Sequence, residues 1–138
     1  EDPCDAQDLY GRSKQLGEVD AAHAVTLRTS IIGHELAGAH GLVGWFLAQT
    51  GPVRGYTRAI FSGLPTVELA RVIRDHVLPQ TRMRGLHHVA AAPIASNPIS
   101  PDDKLVIDRS LDASRFRQLT GYVAPTWPDL VQAMHEFA

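Results

Sequence analysis

Apolar and polar positions follow two different spacings along the chain, and together these spacings predict a mixed α/β fold. Between Pro65 and Pro79, apolar residues recur every three or four positions, which is typical of a helix with one buried face. Similar signals predict helices from Asp8 to about 19–23, and at 42–49, 110–119 and 126–137. Short runs rich in β-forming residues predict strands at 24–29, 53–61, 85–91 and 104–108. Residues 96–103 carry two prolines and are predicted to form a long loop.

The composition narrows the class of protein. The chain has 138 residues, of which 44% are hydrophobic and 20% charged, as expected for one globular domain. A net charge of −2 argues against partners such as nucleic acid or an anionic membrane surface. No apolar run approaches the ~20 residues of a membrane span. Cys4 is the only cysteine, which excludes an internal disulfide and suits a cytoplasmic location.

The candidate chemistry lies near the start of the chain, where Tyr10 precedes Lys14 by four residues. Four residues are about one helical turn, so both side chains are expected on one face of a helix. A phenol ordinarily keeps its proton until about pH 10. A neighbouring ammonium group stabilises the phenolate, which makes such a phenol usable as a general acid or base.

The string Tyr-Gly-Arg-Ser-Lys-x-x-Gly-Glu at 10–18 resembles the Tyr-x-x-x-Lys motif of extended, nucleotide-sugar short-chain dehydrogenase/reductases. The closest resemblance is to dTDP-4-dehydrorhamnose reductases and related NAD-dependent epimerase/dehydratases. Other segments resemble elements of this family in the same order, namely Leu27-Arg28-Thr29-Ser30, Gly63-Leu64-Pro65-Thr66, Gly85-Leu86-His87-His88-Val89 and Ser110-Leu111-Asp112-Ala113-Ser114-Arg115-Phe116.

The resemblance implies an α/β fold, the C-terminal part of a Rossmann-type enzyme with its small substrate-binding domain. Residues 1–35 would supply the catalytic helix and the following strand. Residues 36–138 would form most of the nucleotide-sugar region, with some segments returning to the Rossmann core.

The resemblance also implies roles for individual residues. Tyr10 would protonate the sugar alkoxide as a nicotinamide hydride reduces a 4-keto group, and Lys14 would assist Tyr10 and bind the ribose of NAD(P). The family's loop beside the nicotinamide corresponds to Thr29, Ser30 and Ile31. The nucleotide-sugar site corresponds to Arg54, Tyr56 and Pro65. From the residues alone, Arg54 is equally well a solvated surface arginine, and packing in the core is slightly favoured for Tyr56.

Two departures from the family pattern affect these expectations. No Gly-rich turn that could hold a pyrophosphate is predicted anywhere in residues 1–138, and the family's active-site Ser/Thr would lie ahead of Tyr10. The chain is therefore expected to be the C-terminal half only, inactive alone and without bound NAD(P). Pro93-Ile94-Ala95-Ser96 resembles the start of a family stretch that leads into a helix, yet here a helix is missing or replaced. Its absence would expose an apolar patch and favour association into a homo-oligomer.

Alternatives remain within and outside this reaction class. A C4 epimerase or 4,6-dehydratase would use the same fold, and a non-catalytic binding or regulatory member would keep the fold without turnover. The seven histidines do not predict a metal site, because His87 and His88 are adjacent on a strand and point to opposite faces. His34 is expected in an exposed loop, and Trp45 and Phe46 are expected in the core.

Overall fold

The computed structural model describes residues 4, 6–38, 40–95, 100–102 and 107–137, and these form a mixed α/β structure. The helices are α1 Leu9–Leu16, α2 Leu42–Leu47, α3 Thr66–Val72 with a π-helical turn at Ile73–Val77, α4 Ser114–Thr120 and α5 Trp127–Glu136. The strands are β1 Val25–Arg28, β2 Ile31–Ile32, β3 Arg54–Tyr56, β4 Ala59–Phe61, β5 Leu64–Pro65, β6 Gly85–His88, β7 Ile94–Ala95, β8 Ser100–Asp102 and β9 Ile107–Arg109. The predicted mixed α/β class is confirmed.

The described strands pair mainly in parallel and in small sheets. β1 pairs with β6, β2 with β5, and β3 with β8, each in parallel. The remaining sheet has the order β7-β4-β9, in which β4 runs parallel to β9 and antiparallel to β7. Parallel pairs need long crossover connections, so each sheet joins segments that are distant in sequence.

The hydrophobic core lies where β1, β5 and β6 meet the later helices. Phe116 on α4 is fully buried, and its ring meets those of His87 and Tyr122 edge-on. The other members of this buried cluster are Leu64, Val72, Met83, Val89, Ala91 and Leu130. The indole nitrogen of Trp127 donates a hydrogen bond to the carbonyl of Ala92 at 2.7 Å. This bond and the packing of Trp127 against the core fix the start of α5.

Local signals explain where several helices begin and end. The Asp8 side chain caps α1 by accepting a hydrogen bond from the Gly11 amide at 2.7 Å. The Thr126 side chain caps α5, and Pro128 lies in its first turn, where a missing N–H costs nothing. At the end of α4, Gly121 adopts a φ of +70°, a conformation that glycine tolerates best.

Some predicted bounds are wrong. α1 ends at Leu16 rather than near 19–23, because Gly17 follows and its amide bonds the carbonyls of the last turn. The loop predicted at 96–103 contains β8 at residues 100–102, and its other residues lie outside the described part of the chain. In the Pro93 stretch, where the family's helix was expected to be missing or replaced, Ile94–Ala95 form β7, and residues 96–99 lie outside the described residues. Of the strand predicted at 104–108, residues 104–106 lie outside the described residues.

Trp45 and Phe46 are not in the core, which corrects the sequence-based expectation. Their side chains are 47% and 57% exposed, and Val43 is the only residue of α2 that is buried. α2 is a six-residue helix with apolar groups all around it, so a single contact face can cover only a part of them. No helix in the described part of the chain is long and apolar enough to cross a membrane.

Candidate active site

Tyr10 and Lys14 lie together on α1, one turn apart. The Lys14 ammonium lies 5.1 Å from the centroid of the Tyr10 ring, within the range of a cation–π interaction. The Tyr10 side chain is 74% exposed, and no residue of α1 is buried. The structure therefore presents the phenol and its ammonium neighbour to solvent, where a ligand can reach both.

The loop after β1 is held against β5. The Ser30 carbonyl accepts a hydrogen bond from the Leu64 amide at 2.9 Å, and Ile31 pairs with Leu64 in the β2–β5 ladder. Gly63 makes this close approach feasible, because a Cβ there would collide with the Ser30 carbonyl oxygen. Thr29 follows β1 directly, at the carboxyl end of the strand, which is where parallel sheets bind ligands.

Pro65 lies beside this loop but cannot touch a ligand with its ring. It pairs with Ile32 in the β2–β5 ladder, and its side chain is fully buried. Pro65 can therefore shape the site only indirectly, by fixing the turn from β5 into α3.

Arg54 and Tyr56 lie on one exposed face of β3, with Gly55 between them. Tyr56 is 46% exposed, so the favoured expectation of core packing is wrong, whereas a solvated Arg54 agrees with its exposure. β3 pairs with β8, and among the described residues no hydrogen bond or ion pair joins Arg54 or Tyr56 to the residues of α1. The described hydrogen bonds and ion pairs therefore do not connect this pair to Tyr10 and Lys14.

Sequence reasoning missed a Gly-x-x-Gly-x-x-Gly string after the tyrosine, at Gly38, Gly41 and Gly44. In this chain the string does not form a phosphate cradle. The Glu35 carboxylate lies over Gly41 at the start of α2 and accepts a hydrogen bond from the His40 amide at 2.6 Å. A carboxylate at this position would repel a phosphate, and α2 has only six residues. The context of a dinucleotide-binding turn, a strand leading directly into a long helix, is therefore not met.

Sequence reasoning also missed an ionic cluster at the connection between α1 and β1. Arg28 binds the Glu18 carboxylate with both prongs of its guanidinium, at 2.8 and 3.0 Å. A third guanidinium nitrogen lies 3.2 Å from Nε2 of His88 on β6. Glu18 and Arg28 are ten residues apart, and this separation gives no periodic signal that would pair them.

A further cleft lies among the described residues. It has a volume of about 530 Å³ and is lined by residues 90–93, 110–113, 117 and 123–124. Hydrogen bonds from Ser114 lower the pKa of Asp112 at its edge, and the charges of His88 and Arg117 lower it further. None of the predicted site residues lines this cleft, whose walls combine five alanines with the polar side chains of Ser110, Asp112 and Arg117.

The adjacent histidines have separate environments, as their strand positions predict. Nε2 of His87 lies 3.0 Å from the Arg84 carbonyl, whereas His88 faces Arg28. Within the described residues, no group of three or more His, Cys, Asp or Glu side chains is placed to hold a metal ion. His34 lies in an exposed loop, as expected.

Comparison with protein-family models, with curated proteins and with solved structures gives no match for this chain.

Proposed function

We propose that this chain carries the acid/base part of a nucleotide-sugar oxidoreductase similar to dTDP-4-dehydrorhamnose reductases. The observation that carries the proposal is the placement of the Lys14 ammonium on the Tyr10 ring, on an exposed helix face. The resemblance of the surrounding string, and of later segments in the same order, supports it.

In the proposed reaction Tyr10 acts as the general acid. Its hydroxyl donates a proton to the alkoxide that develops at the sugar C4 as the carbonyl is reduced. Lys14 stabilises the resulting phenolate through its positive charge and can donate hydrogen bonds to ribose hydroxyls. A bound NAD(P)H would supply the hydride.

The residues present fit only one end of such a cofactor. Lys14 suits the ribose, but the glycine string at 38–44 does not fit the pyrophosphate, because the Glu35 carboxylate lies against it. The proposed activity therefore requires a dinucleotide-binding unit in addition to the described residues. The C4 epimerase and 4,6-dehydratase reactions stay as alternatives within the same proposal.

A non-catalytic binding member of the same fold is the second candidate. The lack of a fitting phosphate-binding turn among the described residues favours it. In that case the chain binds a nucleotide sugar or a partner without turnover.

The deciding experiment measures NAD(P)H oxidation with a dTDP-4-keto-6-deoxy sugar, using the complete polypeptide that contains this sequence. We expect Tyr10→Phe to lower turnover by at least ~100-fold while cofactor binding is retained. Lys14→Gln should also lower turnover. The matched control is Arg12→Gln, which removes a positive charge from an exposed position of the same helix and should leave the rate unchanged.

Full turnover in Tyr10→Phe would contradict the catalytic role of Tyr10. A wild-type protein that binds the nucleotide sugar but oxidises no cofactor would favour the non-catalytic candidate.

A further inference from the structure

The cleft of about 530 Å³ lies where strands of two parallel pairs end. Residues 90–93 form one wall and follow the carboxyl end of β6, which runs parallel to β1. Residues 110–113 form another wall and follow the carboxyl end of β9, which runs parallel to β4. Crevices outside the carboxyl ends of parallel strands are the usual ligand sites of α/β proteins, and this volume is typical of sites for small molecules.

Both walls are fixed by the buried residue Ser62, which follows β4 and is 1% exposed. Its carbonyl accepts a hydrogen bond from the Ala91 amide at 2.8 Å, and its hydroxyl accepts one from the Leu111 amide at 2.9 Å. The bond from the Trp127 indole to the Ala92 carbonyl fixes the first wall a second time. Because these bonds lie within the chain, a ligand that enters the cleft does not have to order its walls, which lowers the cost of binding.

Two side chains of opposite charge line the cleft, Asp112 and Arg117. Within the described part of the chain, the Arg117 guanidinium makes no hydrogen bond or ion pair, so its donors can bind a ligand. Hydrogen bonds from Ser114 lower the pKa of Asp112, and the charge of Arg117 also lowers it, so the two charges interact without forming an ion pair. Ser114 occupies only a part of the roughly four acceptor positions of the Asp112 carboxylate.

The signs of these charges determine which ligand fits. A ligand with only negative charge would be repelled by Asp112, and a ligand with only positive charge would be repelled by Arg117. A zwitterion satisfies both groups, because its ammonium donates to Asp112 and its carboxylate accepts two parallel bonds from Arg117. Most other lining residues are apolar, and Val123 among them is 73% exposed, so an apolar side chain of the ligand would gain burial against them.

We propose that this cleft binds a small zwitterion of the amino-acid class, namely a free α-amino acid with an apolar side chain. Asp112 binds its ammonium group, Arg117 binds its carboxylate, and the apolar walls bind its side chain. None of the residues assigned to the oxidoreductase lines the cleft. The proposal therefore does not depend on that function, and each of the two can fail without the other.

The first test titrates the wild-type chain with L-leucine, N-acetyl-L-leucine and L-leucinamide at about pH 6.5, where a free α-amino group is charged. The amide NMR signals of residues 90–92, 111–113 and 123–124 report binding in the cleft. We expect leucine to bind at least about tenfold more tightly than either derivative, because each derivative lacks one of the two charged groups that form hydrogen bonds. Equal binding of either derivative, or no shift of these signals with leucine at its solubility limit, would overturn the proposal.

The second test repeats the leucine titration with Asp112→Asn and Arg117→Gln. Each variant loses one charge at an exposed position, and Asn keeps an oxygen that accepts the bond from Ser114. Each should weaken leucine binding by at least about tenfold. The matched controls Asp20→Asn and Arg12→Gln remove the same charges from exposed positions outside the cleft and should bind leucine as the wild type does. The amide spectrum of every variant also reports whether it is folded. Unchanged affinity in either cleft variant would contradict the proposal.

Discussion

The helices α2 and α4 are both short and both carry a phenylalanine, yet the two phenylalanines have opposite environments. Phe116 on α4 is fully buried among His87, Tyr122 and the core, whereas Phe46 on α2 is 57% exposed. The difference is not in the helices themselves but in what lies opposite them. α4 faces β6, while the described residues place few groups against α2.

The candidate acid/base pair lies in an exposed region, as Phe46 does. α1, with Tyr10 and Lys14, buries none of its residues, and its end residues Leu9 and Leu16 are 87% and 86% exposed. The core that stabilises the chain and the helix that carries the candidate acid/base pair are therefore separate regions. Substitutions in one should alter the free energy of unfolding, and substitutions in the other should leave it nearly unchanged.

The largest effect is expected from Phe116→Ala. Removing a fully buried ring loses its hydrophobic burial and leaves a cavity, which lowers the free energy of unfolding by about 3–5 kcal/mol. Phe46→Ala removes the same side chain from an exposed site and should cost within about 0.5 kcal/mol. Urea unfolding followed by tryptophan fluorescence measures both. Similar losses in the two variants would show that α2 is as tightly packed as α4.

A smaller effect is expected from Tyr122→Phe, which tests the polar part of the core. The Tyr122 hydroxyl donates to the buried Glu68 carboxylate at 3.1 Å, so its removal should cost about 1–3 kcal/mol at neutral pH. The same substitution should change the response to alkali. Burial raises the pKa of Tyr122 above its usual value, and the Glu68 charge and hydrogen bond raise it further.

Because folding raises this pKa, the native chain binds the Tyr122 proton more tightly than the unfolded chain. The resulting stabilisation is complete below about pH 10 and is lost above it, by up to about 1.4 kcal/mol per pH unit. Tyr122→Phe should lose this part of the alkaline dependence, and the exposed control Tyr10→Phe should keep it. The measurement is the unfolding free energy at several alkaline pH values. If its slope against pH is the same in all three proteins, Tyr122 is not the source of the alkaline dependence.

The smallest effect on the whole chain is expected from Asp8→Ala. Loss of the cap to the Gly11 amide should destabilise α1 by about 1 kcal/mol. Because α1 buries no residue, this loss should appear in amide exchange of α1 and not in the global unfolding free energy. An equal loss in both measurements would mean that α1 unfolds only together with the core.

The sequence predicts those features of the fold that depend on neighbouring residues. The start of α1 at Asp8 and the helix between Pro65 and Pro79 follow from local backbone chemistry and are found in the structure. The end of that helix differs from the prediction, because residues Ile73–Val77 form a π-helical turn. No residue type is a reliable sequence signal for such a turn.

Features that depend on distant residues could not be predicted in this way. Strands of two or three residues, such as β2 and β3, are too short for an alternating pattern that would fix their partners. The exposure of Trp45 depends on what faces α2, which hydrophobicity does not encode. In the candidate site, the Tyr10–Lys14 contact follows from helical spacing, whereas the bonds of Arg28 to Glu18 and His88 depend on the β1–β6 register.

The pairing of β1 with β6 also has a consequence for the order of folding. Arg28 and His88 are separated by 60 residues, so β1 leaves the ribosome long before its partner exists. At the usual 5–20 residues per second, synthesis of that stretch takes roughly 3–12 s. Throughout this time the backbone of β1 lacks the partner that it has in the native sheet. The pairing adds a long chain closure to the folding barrier, so this unpaired strand is a point at which a chaperone would act on the nascent chain.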